Sequence, residues 1–312
     1  MKHMNKILTV SAALGVLGIG WFSGIVYSMP VPGVTYTLSG TTEAVTVPPQ
    51  TKPANVSDMN DPKVTAVMSE TTITVPEDGW ITSFAQTVHG APESAMRFSW
   101  VYDASQEDPY CEAQQRVVFV MSVEKTTDIS FPPGHGYFVK KGTELRLLGG
   151  FANFTDYPYE DAQVAIDLAF VPRSSGRELR DAYPLFLNAE CTSLFVVPPK
   201  KTVKKELHKP FTIPVSGTMT LLASHAHKFA KDMRLTLNGT ELWRTTPVYL
   251  PDGTNLGNPM YTTPFNGVPV REGDTLDWSV TYVNPLERPT DAMASIYIHI
   301  IPDTNVLGRM SH

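Results

Sequence analysis

The property that most restricts what this chain can fold into is that it repeats itself. The string Ile73-Thr-Val-Pro76-Glu-Asp-Gly79-Trp-Ile-Thr82-Ser-Phe-Ala85 reappears as Phe211-Thr-Ile-Pro214-Val-Ser-Gly217-Thr-Met-Thr220-Leu-Leu-Ala223, with proline, glycine, threonine and alanine in register. Further on, Val139-Lys-Lys-Gly142-Thr-Glu-Leu145 corresponds to Val270-Arg-Glu-Gly273-Asp-Thr-Leu276, Asn153 to Asn284, and Pro158 to Pro289. The offset slips by seven residues between the two blocks, as a difference in loop length would produce. Self-similarity at this spacing points to a duplicated structural unit.

Each copy consists of short β-branched runs broken by turn residues, in a chain with 26 prolines and 21 glycines, which indicates a sandwich or barrel rather than helices. No helical period is sustained after the N-terminus; the one short helix suggested lies around Arg177–Asp181. With 312 residues, each of two domains has enough chain for its own core. The expected fold is all-β: two tandem β-sandwich (jelly-roll-like) domains, at residues 29–172 and 195–303, preceded by an N-terminal hydrophobic helix. A connector spans 173–194 and a tail 304–312.

A net charge of −6 without a basic cluster argues against nucleic acid as a partner. Lys200-Lys-Thr-Val-Lys-Lys is a local patch that reads as a solvated lead-in strand. No glycine-rich phosphate loop or Ser-His-Asp arrangement stands out, and the two cysteines are too far apart in sequence for a zinc knuckle. At the N-terminus, Lys2 and Lys6 precede an uncharged apolar run from Ile7 to Val26, long for a signal peptide and close to a membrane span. Small residues around Val26-Tyr27-Ser28 suit cleavage. Residues 1–28 therefore read as a signal peptide or a membrane anchor, and both place the folded part outside the cytoplasm.

The candidate site is His225-Ala226-His227, followed 66 residues later by Met293. Side chains at i and i+2 of a strand share a face, with Cα atoms about 6.5–7 Å apart, so the two imidazoles can converge on one ion. A thioether as third ligand selects a soft ion, above all Cu(I). The plain alternative is a half-exposed histidine pair and a core methionine.

Residues from about 195 to 303 resemble the C-terminal domain of the copper type II, ascorbate-dependent monooxygenases, the family of peptidylglycine α-hydroxylating and dopamine β-monooxygenase, and in particular their exported bacterial and archaeal relatives. The resemblance rests on His225, His227 and Asp291-Ala292-Met293, with Pro198-Pro199, Pro214 and Gly217, Gly273-Asp274-x-Leu276 and Tyr282-x-Asn284-Pro285 in support. It implies one copper per chain, held by His225, His227 and Met293. By the repeat, His227 falls opposite His89, His225 opposite Thr87, and Met293 opposite Ala162. The family's second copper uses a histidine pair and a later histidine in the first domain. The matching stretches here, Ala95–Val101 and Phe151–Asn153, contain no histidine, so the first domain is expected to lack copper ligands. His89 and His135 read as surface or turn residues and His208 as exposed. His299 reads as an interior histidine or a group supporting the site, and Tyr297 and Asn284 as pocket-lining or as packing and turn residues.

Some bacterial members also carry a cysteine after a Tyr-Pro-Leu string, which Tyr183-Pro-Leu-Phe-Leu-Asn-Ala-Glu-Cys191 resembles. In an oxidising compartment Cys111 and Cys191 would then form a bridge closing a loop of about 80 residues; the alternative is two buried thiols. Three functions are consistent with these features. One is a copper binder outside the cell, for storage, delivery or as a subunit of a membrane complex. Another is a copper monooxygenase-like enzyme that hydroxylates a C–H bond with electrons from an external reductant or partner. The third is a structural β-sandwich subunit without metal.

Overall fold

The computed structural model describes residues 35–50, 66–112, 114–122, 128–191, 194–247 and 267–305. The N-terminal signal or anchor, 1–28, lies outside the described residues, as does most of the tail. Among the described residues no helix is long and apolar enough to cross a membrane, and the helical pieces are two 3-10 turns, Glu93–Ala95 and Arg173–Ser175. The second precedes the segment for which the sequence suggested a short helix. Arg180 and Asp181 are instead paired, in parallel, with His135 and Gly136, so sheet hydrogen bonds override a weak local helix preference.

The chain is an all-β sandwich structure in which one strand order occurs twice. In the N-terminal half, one sheet runs β1 (Tyr36–Thr41), β10 (Tyr159–Pro172), β4 (Gly79–His89), β8 (His135–Val139) and β11 (Arg180–Asp181). The other runs β3 (Val67–Thr74), β9 (Glu144–Phe151), β5 (Met96–Glu107) and β6 (Gln115–Ser122). In the C-terminal half, β12 (Tyr183–Asn188), β22 (Ala294–Pro302), β16 (Gly217–Ala226) and β19 (Val268–Val270) repeat the first order. The second order recurs as β14 (Thr202–Glu206), β20 (Thr275–Val283), β17 (Ala230–Leu237) and β18 (Thr240–Thr245). Short strands complete the edges: β2 (Val45–Val47) on β10, β7 (Asp128–Ser130) on β4, β13 (Phe195–Val197) on β21 (Thr290–Ala292), and β15 (Phe211–Thr212) on β20. Residues 183–188, inside the expected connector, are thus a buried strand of the C-terminal half.

The repetition extends to register. Gly79 pairs with Val139 and Pro172, and Gly217 with Val270 and Pro302. Both glycines lie so close to the neighbouring backbone that an added Cβ would fall 2.5 Å from the Val171 carbonyl oxygen or 2.3 Å from that of Ile301. Each copy has a one-residue bulge directly afterwards, at Thr82 and at Thr220. A bulge exchanges the faces that alternate residues occupy. Met219 consequently points into the sandwich core, whereas Leu221 and Ala223 join the opposite face.

That opposite face is where the halves meet. Trp100, Tyr102 and Val117 of the N-terminal half pack with Phe186, Leu221, Ala223, Tyr297 and Met293 of the C-terminal half, with the Trp100 and Phe186 ring centroids 5.5 Å apart. Arg116 reaches Tyr183 across the same junction, its guanidinium carbon 4.9 Å from the ring centroid. Tyr110 Oη lies 2.7 Å from His208 Nδ1, and Cys111 and Cys191 are joined in a disulfide with Cα atoms 5.5 Å apart.

Candidate metal centre

The bulge at Thr220 places His225 on the face toward the N-terminal half, opposite Ser295 of β22 in the ladder. His227 follows the strand end, at the start of the turn to β17, where Phe229 adopts φ 75°. Such a conformation is strained for a bulky side chain, and Phe229 is held in it by burial and by the Val283 amide, which donates to its carbonyl at 3.0 Å. The Met293 carbonyl accepts the His227 amide at 3.0 Å and the Tyr282 hydroxyl at 2.6 Å. Both histidines and the methionine backbone are therefore fixed by sheet hydrogen bonds, and the Met293 side chain packs into the apolar junction.

Both rings are half-buried, and desolvation shifts them toward the neutral form. His225 is lowered to about 4 by desolvation. His227 is lowered to about 3, by desolvation first and by His225 second, against a hydrogen bond to the Asp291 backbone. Neutral imidazole is the ligand form, and a ring tied to a backbone group is the usual arrangement behind a metal-binding histidine.

The pair's spacing can be tested against an ion. With nitrogen–metal bonds of about 2.0–2.1 Å, a ring centre lies roughly 3.2 Å from the metal. Two such rings at a tetrahedral angle have centres about 5 Å apart. The observed centroid separation is 5.3 Å, with ring planes 89° apart. That separation is compatible with one ion and equally with an edge-to-face ring contact. Among the described residues no group of three His, Cys, Asp or Glu could hold a metal, so a third protein ligand would have to come from outside those residue types.

The remaining candidates divide clearly. His89 and Thr87 are exposed on β4. Pairing equates Ala162 with Ala292 rather than with Met293, because the N-terminal copy has an extra residue near Asp161, which sits at φ 55°. The counterpart of Met293 is therefore Gln163, the ladder partner of His89. His299 is buried, with Nε2 2.9 Å from Tyr297 Oη. It lies four residues along β22 from Ser295, about 13 Å from the level of His225, too far to be a ligand. Asn284 is a turn residue: Nδ2 donates to the Val197, Pro198 and Arg288 carbonyls and Oδ1 accepts the Leu286 amide. Asn153 does the same in the first copy, with Val47, Tyr157 and Thr155. Sequence reasoning missed the aromatic wall of Trp100 and Tyr102 in the cluster that Met293 joins, although Phe98, Trp100 and Tyr102 at alternate positions mark one strand face as aromatic.

No family model matches the chain, and no curated protein matches it. Among solved structures, it is similar to PNGase F, a glycosylasparaginase from Flavobacterium meningosepticum, at 11% identity over 87% of this chain and 97% of that one, TM-score 0.44. It is also similar to the major capsid protein P2 of bacteriophage PM2, at 11% identity over 86% of this chain and 100% of the other, TM-score 0.38.

Proposed function

We propose that this is an exported or membrane-anchored copper-binding protein of two tandem, jelly-roll-like β-sandwich domains. The second carries one mononuclear site, at His225, His227 and Met293, and the first carries none. The function is copper storage, delivery, or service as a subunit of a membrane complex, with a membrane protein or electron donor as partner. One observation carries this reading: two half-buried imidazoles, held toward the neutral form by desolvation, lie 5.3 Å apart between centroids, and the His227 amide donates to the Met293 carbonyl. The twofold strand order, the sequence resemblance to the copper monooxygenases and the bridged cysteine pair support it. Bound copper would supply a one-electron centre. This chain's residues would orient it, through the Asp291 contact to His227, and shield it with the aromatic wall of Trp100 and Tyr102. Hydroxylation with ascorbate alone should be weak or absent, because Thr87, His89 and Gln163 offer no second site for an electron.

The test is metal content of the purified chain, followed by competition with a chromophoric Cu(I) chelator. One copper per chain is expected, abolished in His225→Ala and His227→Ala and weakened mainly for Cu(I) in Met293→Ala. Zinc bound equally well after Met293→Ala, or no copper at all, would eliminate the site.

A further inference from the structure

The junction between the halves contains a histidine whose protonation state is fixed by its neighbours. Tyr297 Oη donates its proton to the Val118 carbonyl of the N-terminal half. A phenol has one proton to give, so His299 Nε2, 2.9 Å from the same oxygen, must itself be the donor. His299 is then the Nε2–H tautomer, with a bare lone pair on Nδ1. That nitrogen is buried and has no hydrogen-bond partner among the described residues.

Nothing around it would welcome a charge. Phe131 of the N-terminal half covers the ring at 4.4 Å between centroids. The ladder neighbours are Pro184 on β12 and Leu221 on β16. The β6 contribution is the neutral Val118 carbonyl, which Tyr297 bridges to the ring, and no charged group among the described residues shifts His299. Burial alone holds His299 down to about 3.

We propose that His299, Tyr297 and the Val118 carbonyl form an acid-releasable latch between the two halves. A solvent proton added to Nδ1 creates an imidazolium with no acceptor, relieved only when the junction opens and admits water. The Cys111–Cys191 bridge, outside the latch, keeps the opened halves together. Because the open form takes up a proton that the closed form refuses, His299 raises the open-to-closed ratio by up to tenfold per pH unit below about 6.5. The latch needs no metal.

Hydrogen exchange followed by mass spectrometry on the full, oxidised, chelator-treated chain between pH 7.5 and 4 tests this, after correction for intrinsic exchange. Peptides covering Val117–Phe119 and Tyr297 should lose protection at higher pH than core peptides covering Ile81 or Trp278. His299→Gln keeps an N–H for Tyr297 but cannot take up the proton, and should remove one proton from the pH dependence of opening. His225 and His227 are common to both proteins and cancel in that comparison. Unchanged pH dependence in His299→Gln would overturn the latch. If that variant does not fold, the wild type decides: junction and core peptides losing protection together would refute it.

Discussion

Replacing Asn153 and Asn284 by alanine, one at a time, tests whether the two halves are equivalent in energy as well as in topology. Asn284 Nδ2 donates at 3.1, 3.1 and 2.8 Å to the Val197, Pro198 and Arg288 carbonyls, and Oδ1 accepts the Leu286 amide at 2.9 Å. Asn153 Nδ2 donates at 3.0 and 2.7 Å to the Val47 and Tyr157 carbonyls, while Oδ1 accepts the Thr155 amide at 2.9 Å and its hydroxyl at 2.7 Å. Both side chains are buried. Counting shared donors once, each alanine removes about three hydrogen bonds at roughly 1 kcal/mol each, so each variant should lose about 3 kcal/mol. Urea unfolding followed by hydrogen exchange reads the halves separately, and each substitution should weaken its own half first. A loss near zero for one variant and a full loss for the other would refute the equivalence. If Asn284→Ala left stability intact but lowered copper affinity, Asn284 would belong to the site instead.

Removing the bridge with Cys111→Ser and Cys191→Ser opens a crosslink spanning a sequence separation of 80, which in the chain-entropy model should cost about 4 kcal/mol; thermal unfolding of oxidised wild type against the double variant measures it, and equal stabilities would contradict it. Gly217→Ala drives a methyl into the Ile301 carbonyl and should destabilise by about 1–3 kcal/mol, with Gly79→Ala behaving alike; a neutral outcome in denaturant titration would show that the backbone there yields freely. Lowering pH should also weaken the fold. His225, His227 and His299 have folded values below the unfolded value of about 6.5, so the unfolded chain takes up protons first. Stability attributable to these groups is then full above about 6.5 and declines as pH falls toward the folded values. A urea midpoint independent of pH between 7 and 4.5 would count against desolvated, neutral histidines.

Much of the architecture can be read in the residues, because the repeat fixes it. Proline and glycine in register announce the same turn and the same close approach twice, and the aligned asparagines announce the same anchored loop. Other parts are hidden for physical reasons. Tyr36 and Leu38 on β1 occupy the positions of Tyr183 and Leu185 on β12, but two matching side chains are too weak a signal to see without the sheet. Strand β12 therefore passes for a connector. The face on which His225 lies is likewise concealed: strict alternation from Met219 would put it in the core, and only the bulge at Thr220 turns it toward the junction. A bulge is a property of two strands together, and one strand's sequence does not declare it.

The duplicated faces give a reason why the proposed metal site would belong to only one copy. On the C-terminal sheet, Leu221, Ala223 and Tyr297 are covered by the N-terminal half, and His225 lies half-buried on the same face. Their register counterparts on the N-terminal sheet are Ser83, Ala85, Thr87 and Asp167, exposed or half-exposed, with Ser39 donating to Asp167 at 2.6 Å. The converse holds on the second sheets. Phe98, Trp100 and Tyr102 line the aromatic wall, while their counterparts Asp232, Arg234 and Thr236 lie on a face held by the ion pairs Arg234–Glu241 at 3.0 Å and Arg244–Asp232 at 2.6 Å. Each copy has thus kept apolar the one face that meets the other and made its second face polar, as stacked units with free ends must. Imidazoles placed at Thr87 and Gln163 would be solvated and protonated near pH 6.5, with no wall to desolvate them. The proposed ligand set would be desolvated only on the face where one copy meets the other, the face on which His225 lies half-buried.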